Sequence, residues 1–168
     1  MRQNEENVKK ILQELNINAR QKYSEISEKT GIHKNTVRAV IHRLEKEGII
    51  WTYKPVIDYR KLGFQAYVLL IKENKVPSSF HGDKDRLKES LKVTHDIMGE
   101  DDCFVLHSGL IHGNFGAYVY FVARDLVTAR NCVEKFIIRM DSNIIDYELL
   151  PELKLVRIGG TLNPELEP

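Results

Sequence analysis

The sequence predicts an α+β protein: an N-terminal three-helix, winged helix-turn-helix domain, then a C-terminal ferredoxin-like βαββαβ domain. Three observations lead there. Apolar residues recur at helical spacing as far as Gly48 and change period beyond it. From Phe64 onward the pattern runs strand, helix, strand, strand, helix, strand. The charge divides along the same line. Residues 1–62 hold 13 Lys/Arg against 8 Asp/Glu, whereas residues 63–168 hold 12 against 16. A basic first third on a mildly acidic remainder points to a polyanionic partner for the N-terminal part alone.

Composition is compatible with this division. A chain of 168 residues, 42% hydrophobic and 29% charged, can bury a core in two small domains without disulfide or metal staples. Apolar runs such as Tyr67 to Ile71 are too short to span a bilayer, and the charged start Met1-Arg2-Gln3-Asn4-Glu5-Glu6 is no signal peptide. No membrane partner is expected. Two cysteines, Cys103 and Cys132, make no disulfide framework, which fits a cytoplasmic protein.

Each element has its own signal. Val8, Ile11, Leu12 and Leu15 form one stripe on a helix from about Asn4 to Leu15, and Asn16-Ile17-Asn18 breaks it. A short second helix centres on residues 24–29 and stops at Gly31, where a left-handed residue costs least. The third begins near Lys34, carries Val37, Val40, Ile41 and Leu44 on one face, and ends at Gly48. Ile49 to Tyr53 and Val56-Ile57 flank Lys54-Pro55 and predict a short strand pair or an extended arm. Leu62-Gly63 marks the boundary between a first domain with linker strands, 1–62, and a second domain, 63–168.

In the second domain, strands are expected over Phe64–Glu73, Cys103–Ile111, Ala117–Ala123 and Ile144–Leu150. A helix from about Asp83 to His95 should turn Leu87 and Leu91 inward. A second helix, capped by Asp125, should bury Leu126, Ala129, Val133, Phe136, Ile137 and Met140. Leu153 to Ile158 could add an edge strand. Two helices cover one face of such a sheet, yet its strands are apolar on both. Phe64, Ala66, Val68 and Leu70 oppose Tyr67, Leu69 and Ile71, while Val119 and Phe121 oppose Tyr118, Tyr120 and Val122. A second copy of the sheet is the simplest cover, so a homodimer is expected. A charge at Leu69 or Ile71, whichever faces the partner, should dissociate it.

Tyr23 to Val40 has helix-turn-helix spacing. Ser27 is small where two helices approach, Gly31 turns the chain, and Ile26, Ile32, Val37 and Val40 lock the angle from inside. The outer face of the third helix then presents Asn35, Arg38, Ala39 and His42, with Lys34 and Thr36 at its start. Arg can fork onto guanine, Asn onto adenine, and Lys or Thr can hold phosphates, so these six are the candidate contacts to double-stranded DNA.

Other chemistries fare worse. Cys103 and His107 share a face of a regular strand, but Gly109 and the odd spacing turn His112 away, and neither CxxC nor HExxH occurs. Glu100-Asp101-Asp102 reads as a solvated loop. With no Ser-His-Asp set, P-loop or GxGxxG recognisable, no enzyme, metal or cofactor is expected. The alternative is a ferredoxin-like allosteric subunit or metabolic enzyme with a basic N-terminal domain, which would need a catalytic constellation in residues 64–168.

The segment Thr36 to Ile50, followed by Asp58-Tyr59-Arg60-Lys61-Leu62-Gly63, resembles the Lrp/AsnC (feast/famine) regulators, as does Asn18-Ala19-Arg20. The resemblance covers most of the chain, specifically in the N-terminal motifs and topologically in the second domain. It implies transcription regulators that dimerise, assemble into octamers or other higher forms, bind pseudo-palindromic DNA, and sense small molecules, often amino acids, between dimers. Two departures stand out. Lys22 and His33 occupy helix starts where similar proteins carry Ser or Thr, which predicts weaker caps. The turn Gly113-Asn114-Phe115-Gly116 resembles that family's Gly-Asp-Tyr-Asp turn but lacks both acids, so an effector held there would find no carboxylate for an α-ammonium group.

Overall fold

The computed structural model describes residues 2–73, 88, 92–93, 95–96, 102–140, 144–158 and 160–166. Among these, the residues of Met1–Ile57 and Leu155–Pro168 group into one compact unit and those of Asp58–Lys154 into another.

The first unit is built on three helices, α1 (Arg2–Ile17), α2 (Tyr23–Thr30) and α3 (Lys34–Lys46). Their shared core is Ile11, Ile26, Ile32, Val37, Val40, Ile41 and Leu44, with Val8, Leu12, Leu15, Tyr23 and Ile50 packed at its edge. The predicted apolar stripes therefore meet in one place. Gln21 is the polar residue buried between α1 and α2, and its amide is satisfied. Nε2 donates to the carbonyls of Glu14 (2.7 Å) and Asn18 (3.2 Å), and Oε1 accepts from Lys29 Nζ at 2.6 Å. Those carbonyls lie at the end of α1, where Glu14 O also accepts from Asn18 N–H at 3.0 Å.

The turn between α2 and α3 rests on Gly31, which takes a left-handed φ of 70° and donates its N–H to Ser27 O at 2.9 Å. The weak caps predicted at the helix starts are compensated in different ways. Lysine has no acceptor at its tip, so Glu25 reaches back instead and accepts from Lys22 N–H at 3.0 Å. His33 caps α3 directly, its Nδ1 accepting from Asn35 N–H at 3.3 Å.

Beyond α3, no strand forms over residues 49–58. The strand pair expected there gives way to the extended-arm alternative. Pro55 withholds a ladder donor and Trp51 is 91% exposed, so little packing would reward a hairpin. The expected edge strand at Leu153–Ile158 is also corrected. Arg157–Ile158 (β5) pairs with Thr161–Leu162 (β6) in a separate two-stranded piece of the first unit.

The second unit holds a four-stranded antiparallel sheet of order β2-β3-β1-β4, formed by Gln65–Glu73 (β1), Cys103–Leu110 (β2), Ala117–Ala123 (β3) and Ile144–Pro151 (β4). With α4 (Leu126–Met140) between β3 and β4, this is the expected ferredoxin-like arrangement. The predicted helix from Asp83 to His95 lies mostly outside the described residues. Those described near it, Lys88, Lys92, Val93, His95 and Asp96, are helical, and Val93 packs on the core.

That core joins Tyr67, Leu69, Ile71, Cys103, Val119, Phe121 and Ala123 of the sheet to Ala129, Cys132, Val133 and Phe136 of α4. Asp125 caps α4 as expected, accepting from Thr128 N–H at 2.7 Å. That backbone bond holds its carboxyl below the usual aspartate range. Leu126 is the miss in the predicted stripe. At the first turn it lies 42% exposed, and Cys132 fills the core instead.

The burial of Leu69 and Ile71 under α4 corrects the choice of residue for breaking a dimer. The face turned away from α4 carries Val68 and Leu70, paired with Tyr120 and Tyr118, and Leu150 beside Val68. All five are at least partly exposed.

Candidate nucleic-acid interface

The burial of α3 alternates as a docked amphipathic helix requires. Val37, Val40, Ile41 and Leu44 point into the core, while Lys34, Asn35, Thr36, Arg38, Ala39 and His42 are all exposed. Spacings of three and four residues put Asn35, Arg38, Ala39 and His42 on one strip, with Lys34 and Thr36 at its N-terminal end. Among the described residues, the side chains of Lys34, Asn35, Thr36 and Arg38 have no hydrogen-bond or ionic partner. Their donors and acceptors are thus available to an outside ligand. The N-terminal end of α3 also carries the positive end of the helix dipole, which favours a phosphate nearby.

His42 differs from the other five, because it is held. Its Nδ1 lies 3.1 Å from Glu45 Oε2, and the other oxygen of that carboxylate accepts from Tyr53 O–H at 2.8 Å. The Tyr23 ring meets the imidazole edge-on, with centroids 6.3 Å apart. The Tyr53 phenol is pushed up to about 12 by loss of hydration first and then by the carboxylate it donates to. It is a neutral donor at any physiological pH. A cavity of about 490 Å³ beside these groups is lined by Tyr23, Lys34, Ile41, Glu45 and Tyr53 among others. Sequence reasoning missed Glu45, Tyr53 and Tyr23. The i, i+3 spacing of His42 and Glu45 is a readable signal; Tyr53 joins through an irregular arm and leaves none.

In the second unit, the turn Gly113-Asn114-Phe115-Gly116 is closed by two backbone bonds. Ile111 N–H donates to Gly116 O, and Gly116 N–H to Ile71 O, each at 2.9 Å. Gly116 therefore has no N–H to spare for a ligand. Gly113 and Asn114 are exposed, Phe115 and Gly116 partly so.

The reading of Cys103 and His107 as sharing a strand face is overturned. Val105 pairs with Phe121 but His107 pairs with Tyr120, so Leu106 is an extra residue in β2. The bulge turns His107 to the face of Tyr118 and Tyr120, opposite the buried Cys103. There Tyr118 O–H lies 2.9 Å from His107 Nδ1, and its ring crosses Gly109 so closely that a Cβ would sit 2.8 Å from Tyr118 Cε1.

Comparison with known proteins agrees with this geometry. The winged helix-turn-helix DNA-binding family matches residues 5–50. The HTH-type transcriptional regulator Ptr1 of Methanocaldococcus jannaschii is 30% identical over 135 residues, spanning 77% of this chain and 88% of Ptr1. Two solved structures share the fold. An AsnC family transcriptional regulator from Agrobacterium tumefaciens aligns with a TM-score of 0.69 at 16% identity, covering 95% of this chain and 96% of that one. A Neisseria meningitidis transcriptional regulator in complex with L-Met aligns at 0.68 and 16% identity, covering 96% and 97%. A basic helix-turn-helix unit joined to a ferredoxin-like unit defines a DNA-binding transcription regulator. The chain belongs to the HTH-type transcriptional regulators represented by Ptr1, and it shares its fold with the AsnC family structure.

Proposed function

We propose that the chain reads operator DNA through the outer strip of α3, with Lys34 and Thr36 on phosphates and Asn35, Arg38, Ala39 and His42 toward base edges. The observation that carries this reading is the division of α3 into four buried apolar residues and six exposed ones, of which Lys34, Asn35, Thr36 and Arg38 have uncommitted polar groups. Arg38→Ala should lower affinity for a specific site by roughly 1–3 kcal/mol without unfolding the helix, since Arg38 packs against nothing in the core. Titrating operator and random duplexes separately by fluorescence anisotropy checks this. Equal losses on both would make Arg38 a phosphate contact.

Residues 1–62 serve as the DNA-binding domain and residues 63–168 as the dimerisation and effector-response domain, with Leu155–Pro168 packing in the first unit and Asp58–Leu62 in the second. The partners are double-stranded DNA and a second copy of the chain, and no catalytic step is assigned to it. The apolar face of Val68, Leu70, Tyr118, Tyr120 and Leu150 supports the homodimer, because α4 covers only the other face. Paired readers would suit paired half-sites.

The effector site, where one operates, is the turn at Gly113, Asn114, Phe115 and Gly116. Exposed backbone there can approach a ligand carboxylate. With no acid in the turn and Gly116 N–H already bonded, ordinary α-amino acids should bind weakly. Calorimetry against the twenty amino acids checks this. Tight, saturable binding of one of them, abolished by Gly113→Leu, would contradict it.

A further inference from the structure

We propose that Tyr53, Glu45 and His42 form a relay that fixes the imidazole tautomer, so that His42 Nε2 selects a base presenting an exocyclic amino group in the major groove. The inference rests on the reading of α3 as the base-contacting helix and adds what one of its residues reads.

The chain of donors places a hydrogen on Nδ1. An ionised carboxylate only accepts hydrogen bonds. Glu45 Oε1 accepts from Tyr53 O–H at 2.8 Å, and the phenol has its proton to give because its pKa is pushed up to about 12. Glu45 Oε2, 3.1 Å from His42 Nδ1, can bond to that nitrogen only where it carries hydrogen. A neutral imidazole protonated at Nδ1 has a bare Nε2, and a bare Nε2 is an acceptor.

The surroundings hold the ring in that pose. The Tyr23 ring packs edge-on to the imidazole from α2, the carboxylate grips it from α3, and Tyr53 anchors the carboxylate from the arm. The Glu45 carboxylate and the Tyr23 ring thus lie against the imidazole, with Tyr53 behind the carboxylate. His42 keeps 55% of its side chain exposed, so the ring is positioned yet open to a partner.

In the major groove the donors available to an acceptor are the N6 amino group of adenine and the N4 amino group of cytosine; guanine N7 and O6 and thymine O4 are acceptors themselves. His42 should therefore favour adenine or cytosine at its position, by roughly fivefold over guanine or thymine, the size of one hydrogen bond. Glu45 and Tyr53 are positioning residues in this scheme.

The test uses the full chain in two measurements. Selection from random duplexes at fixed salt and neutral pH is run on wild type, His42→Ala, Glu45→Ala and Tyr53→Phe. The 15N shifts of the His42 ring are recorded for the same proteins. Wild type should show hydrogen on Nδ1 and an adenine or cytosine preference at one position of each half-site. His42→Ala should flatten that position alone, Tyr53→Phe should weaken its preference, and Glu45→Ala should move the proton to Nε2 and shift that position toward guanine or thymine, whose groove acceptors a donor can meet. A guanine or thymine preference there in wild type, or a loss spread over every position in the variants, would overturn the proposal. A wild-type motif indifferent to Glu45→Ala and Tyr53→Phe, or a wild-type ring carrying hydrogen on Nε2, would refute it while leaving the α3 reading intact. A wild type that enriches no motif would refute the α3 reading, and the inference with it.

Discussion

Val68→Asp is expected to turn a dimer into a monomer and to lower operator affinity by about 10²–10⁴-fold, because two linked readers bind far more tightly than one. Val68 lies on β1 between Tyr120 of β3 and Leu150 of β4, on the sheet face that α4 does not cover. A carboxylate there would be buried without a counter-ion in any sheet-to-sheet interface. In a monomer it would meet water, so circular dichroism should stay unchanged while light scattering reports half the mass. Leu69→Asp serves as the contrast. Leu69 has no exposed surface and packs in the core with α4, so a charge there should unfold the unit outright. If Val68→Asp scatters as a dimer, another surface holds the copies together.

The second large effect belongs to the core. Phe121 stacks on Tyr67 with centroids 5.6 Å apart and an interplanar angle of 25°, and neither ring reaches solvent. Phe121→Ala should cost about 3–5 kcal/mol, the lost burial plus the cavity left behind. That is a large share of the roughly 5–15 kcal/mol that holds a domain. Urea unfolding followed by circular dichroism is the suitable readout, because the sole tryptophan, Trp51, sits exposed in the other unit. A loss below about 1 kcal/mol would mean that the ring packs less tightly than its contacts imply.

Much of the fold is legible in the sequence because burial and periodicity are the same fact. The stripe of Val37, Val40, Ile41 and Leu44 can be read as a helix face because those residues are the ones the bundle buries. Strands apolar on both faces are equally visible, and the structure resolves which residue takes which side. What escapes is local. The bulge at Leu106 reverses the facing of His107, and nothing in Cys103-Phe104-Val105-Leu106-His107 marks it, since an extra residue in a strand leaves composition unchanged. Leu126 reads as core by spacing, yet the first turn of α4 leaves it at the surface. For the candidate interface, the outer strip of α3 follows from its inner stripe. The contact between Glu45 and His42 follows from their i, i+3 spacing, whereas the bond Glu45 accepts from Tyr53 depends on the path of an irregular arm, which side-chain pattern does not specify.

The most direct test of sequence-specific DNA binding through α3 is selection of bound genomic fragments by the full-length chain at a fixed salt concentration. The expected result is one enriched motif in two related half-sites, with centres about 10 base pairs or a multiple apart, lost on Arg38→Ala. Retention that follows salt alone, with no motif above the background of the input fragments, would contradict it.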